Sequence, residues 1–159
     1  MARGQGRGSA PVRGAALIIR LERVIATLPA RFAALREEAR GDGHRMLDTL
    51  AAEWASGATR FDRPGEALYA AYADNVLAGI GGLTLEKAIA GALRARRFYV
   101  RIAHRRDGIG RALAERLLED ARRTGRTVTA NAAAGSEAFW EALGFVPDRR
   151  DGFTHILNG

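Results

Sequence analysis

One stretch limits the possible folds more than any other: an alternating run that passes through two closely spaced glycines into an amphipathic helix. It reads "RRFYVRIAHRRDGIGRALAERLLEDARRTG", Arg96 to Gly125. The first part, "RRFYVRIA", predicts a strand. Beyond the glycines Ile109, Leu113, Leu117 and Ala121 recur at spacings of four, and Gly125 follows the end, which predicts a helix. A strand that runs through a glycine turn into an amphipathic helix belongs to a mixed α/β pattern.

Gly108 and Gly110 allow a tight turn and let the backbone approach a ligand where side chains would clash. The helix opens there with unpaired N–H groups and its positive dipole end, an arrangement that suits an anion. Arg105, Arg106 and Arg111 flank it. The dipole supplies only about 0.3–1 kcal/mol at an exposed site, so a bound diphosphate would depend on direct N–H and arginine hydrogen bonds. The Gly-Lys-Ser/Thr ending of a P-loop is missing, as are the third glycine and following βαβ unit of a dinucleotide fingerprint. Taken alone, the glycine pair is equally consistent with a plain tight turn.

The remaining segments complete an α/β pattern. The first dozen residues are Gly- and Arg-rich without periodicity, and residues 1–13 are expected to form a flexible basic tail before one domain over 14–159. "AALIIRLERVI" predicts a first strand. "LPARFAALREEAR" predicts a helix with Pro29 near its start, Phe32, Leu35 and Ala39 on one face and Gly41 just past its end. A second helix is expected from Asp42 to Ala55, with Met46, Leu47, Leu50, Ala51 and Trp54 as a core stripe.

"ALYAAYADNVLAGIGGLTL" gives two alternating runs around Asp74-Asn75, a hairpin whose turn lacks its usual glycine. Gly79, Gly81 and Gly82 weaken the second run as a strand; they mark either a bulge or a close approach of ligand to backbone. "RTVTANA" predicts a strand, "SEAFWEAL" a short helix closed by Gly144, and "GFTHIL" a final strand. The expected fold is mixed α/β, of order β-α-α-β-β-β-α-β-α-β and without repeats.

Composition bounds the chemistry. The 159 residues suit one domain, and 47% hydrophobic content suits a globular one. No cysteine is present, which excludes disulfides, thiolate catalysis and cysteine-bound zinc. No metal-ligand spacing occurs, so no metal is expected. No run is long enough for a signal-peptide core or a membrane span, and a cytoplasmic protein is expected. The formal net charge is +7, and all but Lys87 of the 25 basic residues are arginines. That charge attracts polyanions or merely reflects solvated arginine-rich faces, and no nucleic-acid motif accompanies it.

With these residues in view, "RRDGIG" on a strand–turn–helix resembles the Arg/Gln-x-x-Gly-x-Gly/Ala motif of the GNAT superfamily of acyl-CoA N-acyltransferases. Val100 stands where the motif's strand residue belongs, and "FWEALGF", Phe139 to Phe145, resembles the family's "xYExLGF" helix end. The resemblance covers about Ala67 to Leu157. It implies a splayed, V-shaped mixed sheet flanked by helices, with acetyl-CoA as co-substrate in the cleft. It further implies that Val100 and Ile102 offer backbone groups to the pantetheine arm. Arg105, Arg106, Gly108, Ile109, Gly110 and Arg111 would then cradle the diphosphate.

The chain departs from the family where Trp140 replaces the tyrosine that protonates the departing thiolate in many members. An indole N–H donates a hydrogen bond but does not titrate usefully. A general acid typically contributes 10²–10⁴-fold. A thiol with pKa near 8.5 already leaves well, and protonating it at pH 7 is worth about 2 kcal/mol. Water suffices, so slower turnover is expected rather than none. Trp140 is then a wall of the pantetheine channel or a core residue, with Tyr99 and Tyr72 as replacement acids.

The family's asparagine position is Ala133 here; Asn131, two earlier, either reaches the cofactor or ends the strand. The glutamate that several members hold in the strand before the motif is absent. The nearest upstream carboxylate, Glu86, is either the general base or a solvated loop residue. His104 reads as a surface histidine beside the turn, His155 as structural, and His44 as an ordinary helix residue.

Three functions compete. The first is an acetyl-CoA-dependent N-acetyltransferase acting on a primary amine of a small molecule or peptide by direct attack. The second is a non-catalytic acyl-CoA-binding regulatory or partner-docking module, and the third a basic nucleic-acid-binding domain. The loop "ASGATRFDRPGE" and the first two helices are expected to shape the amine site, and a homodimer is compatible with the sequence.

Overall fold

A computed structural model describes residues 16–159; the expected basic tail of residues 1–13 lies outside them. The elements are β1 (Ile19–Arg23), α1 (Phe32–Gly41), α2 (Met46–Ser56), β2 (Ala67–Ala73), β3 (Val76–Leu85), β4 (Leu93–Val100), α3 (Ile109–Arg123), β5 (Val128–Ala130), α4 (Glu137–Ala142), β6 (Val146–Arg150) and β7 (Phe153–Leu157). The fold class is the expected mixed α/β one. The seven strands form one sheet in the order β1-β2-β3-β4-β5-β7-β6. Every pairing is antiparallel except β4 with β5.

The sheet is covered on both faces, which explains why β2 and β3 are buried nearly throughout. On one face Leu68, Ala70, Leu77, Ile80 and Tyr99 pack against Phe32, Leu35, Leu47, Leu50 and Trp54 of α1 and α2. On the other, Tyr69, Ala71 and Leu83 meet the stripe of α3, Ile109, Leu113, Leu117 and Ala121. Each leucine fully withdrawn from water contributes about 1.5–3 kcal/mol, so the stripe orients α3 firmly. Both α2 and α3 stop at left-handed glycines, Gly57 at φ +76° and Gly125 at φ +65°.

The Asp74-Asn75 hairpin forms as expected, and both residues take positive φ, +46° and +66°, as a type I′ turn needs. Asp74 also accepts a hydrogen bond from the Ile18 N–H at 3.1 Å, which ties the approach to β1 to the turn. The glycines of β3 mark a bulge and a close approach of the protein to itself. A Cβ on Gly81 would lie 2.8 Å from the Phe98 ring, and one on Gly82 would lie 2.6 Å from the Phe61 ring. Opposite Gly81, β4 carries two residues, Arg97 and Phe98, because its register slips between Ile80 and Gly82. Arg97 sits at φ +62° in this bulge.

Several boundaries differ from expectation. The first two helices begin later, at Phe32 and Met46, because residues 30–31 and 42–43 form turns, and Gly41 is the last residue of α1 rather than just past its end. Strand β4 ends at Val100, and "IAH" coils into a short 3₁₀ turn, Ile102–His104. One strand was not expected: β6, "VPDRR", pairs with β7 on the outer edge of the sheet. Its proline is tolerated because an edge strand has N–H groups with no ladder partner.

Candidate active site

β4 and β5 are paired only from Leu93↔Val128 to Ala95↔Ala130, and then they part. Beyond Ala130 the chain is held toward β7 instead: the Ala132 N–H donates to Thr154 Oγ1 at 2.9 Å, and Ala130 pairs with His155. β4 continues alone to Val100. The parting opens a cleft of about 700 Å³ between β4, the turn after it, and the segment from Asn131 to Trp140.

Alternation sets which backbone groups face the cleft. The Arg101 N–H donates to Ala78 O of β3 at 2.8 Å, so the peptide groups of Val100 point the opposite way, toward the space β5 has left. At one mouth stands the glycine turn. Gly108 adopts φ +82° immediately before α3, a conformation other residues reach only with strain, and Arg106 shares it at φ +70°. The first backbone bond of α3 runs from the Ala112 N–H to Gly108 O, which leaves the N–H groups of Ile109, Gly110 and Arg111 without helical partners. A Cβ on Gly110 would just touch Phe139, at 3.4 Å, across the cleft.

The arginines of the turn are not equivalent. Arg105 is committed to the protein: its Nη2 donates to Asp42 at 2.6 Å, its Nε to Val100 O at 3.1 Å, and its head lies over the Tyr99 ring. The Arg105 hydrogen bond holds the Asp42 carboxyl below its usual pKa. Arg111 pairs with Glu115 along the helix at 3.0 Å. Arg106 lines the cleft and makes no ion pair or side-chain hydrogen bond among the described residues.

Trp140 forms the opposite wall. It is buried, with Phe98, Phe139 and Phe145 edge-on at ring-centroid distances of 5.1, 5.0 and 5.2 Å. It is thus both a core residue and part of the cleft lining. Neither suggested replacement tyrosine is free to act beside it. Tyr72 lies on β2 under Arg20, away from the cleft. Tyr99 lines the cleft but donates its hydroxyl to Glu38 at 3.1 Å; burial and that carboxylate push its pKa up to about 12.

The structure brings Val100, Arg105, Arg106, Gly108, Ile109, Gly110, Arg111, Asn131 and Trp140 around one cleft, and leaves two expected residues out of its lining. Ile102 projects into solvent in the 3₁₀ turn, and its N–H is taken by Glu38 at 3.2 Å. Glu86 is buried rather than solvated, and outside the cleft lining. Burial alone would raise its pKa, but bonds from Thr129 Oγ1 at 2.6 Å and the Ala88 N–H at 2.9 Å, with Arg94 and Arg96 nearby, bring it below the usual value. So engaged, it is poorly suited to take a proton.

Sequence reasoning missed His44, which reaches the cleft from the α1–α2 loop, Met46 at the start of α2, and Arg94, Arg96 and Arg97 of β4. Only the fold brings His44 near, since its ring meets Tyr99 edge-on at 6.0 Å. His155 is structural as expected: it is buried and bridges Thr154 and Glu141.

A splayed sheet that holds a glycine turn at the mouth of its cleft defines a class of acyl-transfer folds, and comparison with known proteins identifies it. The acetyltransferase (GNAT) domain family matches residues 36–156. The chain therefore belongs to the GNAT acetyltransferase family and is an acyl-CoA N-acyltransferase.

Solved structures share the fold. A proposed acetyltransferase from Exiguobacterium sp. 255-15 superposes with a TM-score of 0.80 at 24% identity, over 89% of this chain and 93% of its own. A proposed GNAT-family acetyltransferase from Desulfovibrio desulfuricans gives 0.68 at 20% identity, over 89% and 99%. The Bacillus subtilis N-acetyltransferase YlbP, solved in complex with coenzyme A, gives 0.59 at 16% identity, over 89% and 97%. No curated protein matches the chain significantly. Among the described residues no helix is long and apolar enough to cross a membrane.

Proposed function

We propose that this enzyme transfers an acetyl group from acetyl-CoA to a primary amine of a small molecule or peptide, by direct attack and without an acyl-enzyme. The observation that carries the reading is the parting of β4 from β5 beside a left-handed glycine turn with an unpaired arginine, Arg106. The diphosphate lies on the free N–H groups of Ile109, Gly110 and Arg111 and on the Arg106 guanidinium. Arg105 contributes by fixing the turn to Asp42 rather than by touching phosphate. The pantetheine arm runs along the edge of β4 that β5 leaves, hydrogen-bonded to the Val100 N–H because the Val100 carbonyl accepts from Arg105, with Asn131 and the aromatic wall of Trp140 on the other side.

In the reaction the amine lone pair attacks the thioester carbonyl carbon, and the carbonyl π electrons move to oxygen. Backbone N–H groups on the free edge of β4 stabilise that oxyanion. Collapse reforms the carbonyl and expels the thiolate, giving an amide and CoA. The surplus amine proton leaves to water, and water returns one to the thiolate, because Trp140 has none to give and the Tyr99 proton is held by Glu38.

Amine-dependent release of free CoA tests the reading. A thiol reagent reports only the product, because the chain contains no cysteine. Release that requires both acetyl-CoA and an amine supports acetyl transfer. Saturable acetyl-CoA binding without release from any amine sinks it in favour of a binding module.

A further inference from the structure

The inner end of the cleft carries a second cationic site, remote from the glycine turn. Arg94, Arg96 and Arg97 line it where the β4–β5 pairing ends at Ala95 and Ala130. Four strand steps separate Arg96 from Val100, on the order of 13 Å. Two of the three arginines have partners. Arg94 donates to Gly152 O and lies 4.0 Å from Glu86, while Arg97 is paired with Glu53 of α2.

Arg96 has no partner. Its side chain makes no hydrogen bond or ion pair among the described residues, and its Nε is buried without an acceptor. Burial and the two flanking guanidiniums press its pKa below the ordinary arginine value. Three guanidiniums thus face two carboxylates, Glu53 and Glu86, and one positive charge stays uncompensated inside the cleft. Burying a cation without a counter-charge is costly, and the cost is relieved when a ligand brings the anion.

We propose that the acceptor amine carries an anionic group, a carboxylate or a phosphate, and that Arg96 binds it. This specifies the substrate class of the N-acetyl transfer proposed above and rests on that reading. A guanidinium offers a planar fork that fits either oxyanion through two parallel hydrogen bonds. Bound there, the anion fills the unmet donors of Arg96, and the amine at the other end of the acceptor is turned toward the thioester. A cationic or neutral amine leaves Arg96 unpaired and binds weakly.

The test compares matched acceptors: glycine against glycinamide for the carboxylate, and phosphoethanolamine against ethanolamine for the phosphate, with rates corrected to the free amine. Acetyl-CoA binding is measured in parallel by calorimetry. The anionic member of at least one pair is expected to react with kcat/KM higher by about 10–100-fold, the worth of a hydrogen bond to a charged group. Arg96→Gln abolishes that preference by raising the KM of the anionic acceptor, with the KM for acetyl-CoA and the melting temperature kept. Arg96→Lys, which keeps the charge but not the fork, restores part of it.

Equal rates within both pairs, or an Arg96→Gln loss shared by anionic and neutral amines, overturn the anion site and leave acetyl transfer standing. Acetyl-CoA binding with no Arg96-dependent response to either anionic amine does the same. Absence of acetyl-CoA binding overturns the acetyltransferase reading itself, and this inference with it.

Discussion

Trp140 stands edge-on to Phe98, with ring centroids 5.1 Å apart and planes at 79°. Phe139 and Phe145 hold the indole from two further sides, so its position is fixed by packing rather than by proton chemistry. Trp140→Tyr is predicted to raise kcat by about tenfold, below the usual general-acid range because a CoA thiolate already leaves well. Steady-state kcat at saturating amine checks this. An unchanged or lower kcat shows that a hydroxyl at this position does not reach the sulfur.

The glycines of β3 answer to packing. Gly82→Ala puts a Cβ 2.6 Å from the Phe61 ring and 3.0 Å from Ala67 O. Phe61 is buried at φ +55° and cannot swing aside freely. The predicted cost is about 1–3 kcal/mol, read from denaturant unfolding. Gly41→Ala, whose Cβ meets nothing within 4 Å, is the contrast and is expected to be tolerated.

Acid is predicted to loosen α1 from α2. Asp48 accepts hydrogen bonds from Arg36 at 2.6 Å and Arg40 at 2.8 Å, and lies 3.5 Å from Arg45. Bonds from Arg40 and Arg36 hold its carboxyl far below the ordinary range. A depressed folded pKa means the unfolded chain binds the proton more readily. The contribution is therefore fully present above the unfolded-chain value of about 3.9, and it fades as pH falls below that toward the folded value. Asp48→Asn should lower the melting temperature at neutral pH and flatten its decline below about pH 4. A parallel decline in both proteins contradicts the clamp.

Tyr99→Phe removes a buried hydroxyl whose proton goes to Glu38. It is expected to cost about 1 kcal/mol of stability. The alkaline limb of the pH–rate profile is expected not to move, because a tyrosine with a pKa near 12 does not titrate in the working range. A shift in that limb identifies Tyr99 as the acid.

Local rules made much of this molecule legible. The spacing of Ile109, Leu113, Leu117 and Ala121 announced α3, and Asp74-Asn75 announced a turn through its tolerance of positive φ. Strand β6 was hidden because Pro147 and its exposed neighbours look like loop, and only pairing with β7 makes them a strand. The site was legible where it is contiguous, from Val100 to Arg111. It was not where distant residues meet: Asp42 claims Arg105 from 63 residues away, and Glu38 occupies the Ile102 N–H. Glu86 looked like a loop carboxylate because nothing local reveals that Thr129 lies beside it. The unpartnered state of Arg96 is likewise a property of three dimensions.

The measurement closest to the central claim is a calorimetric titration of acetyl-CoA into the wild-type protein and an Arg106→Ala variant. Arg106 makes no ion pair or side-chain hydrogen bond among the described residues, so its removal should spare stability while weakening binding by about 10–100-fold. Saturable wild-type binding weakened to that extent, at an unchanged melting temperature, is the predicted result. No binding to the wild-type protein, or equal binding by both, would contradict the placement of the cofactor on the glycine turn.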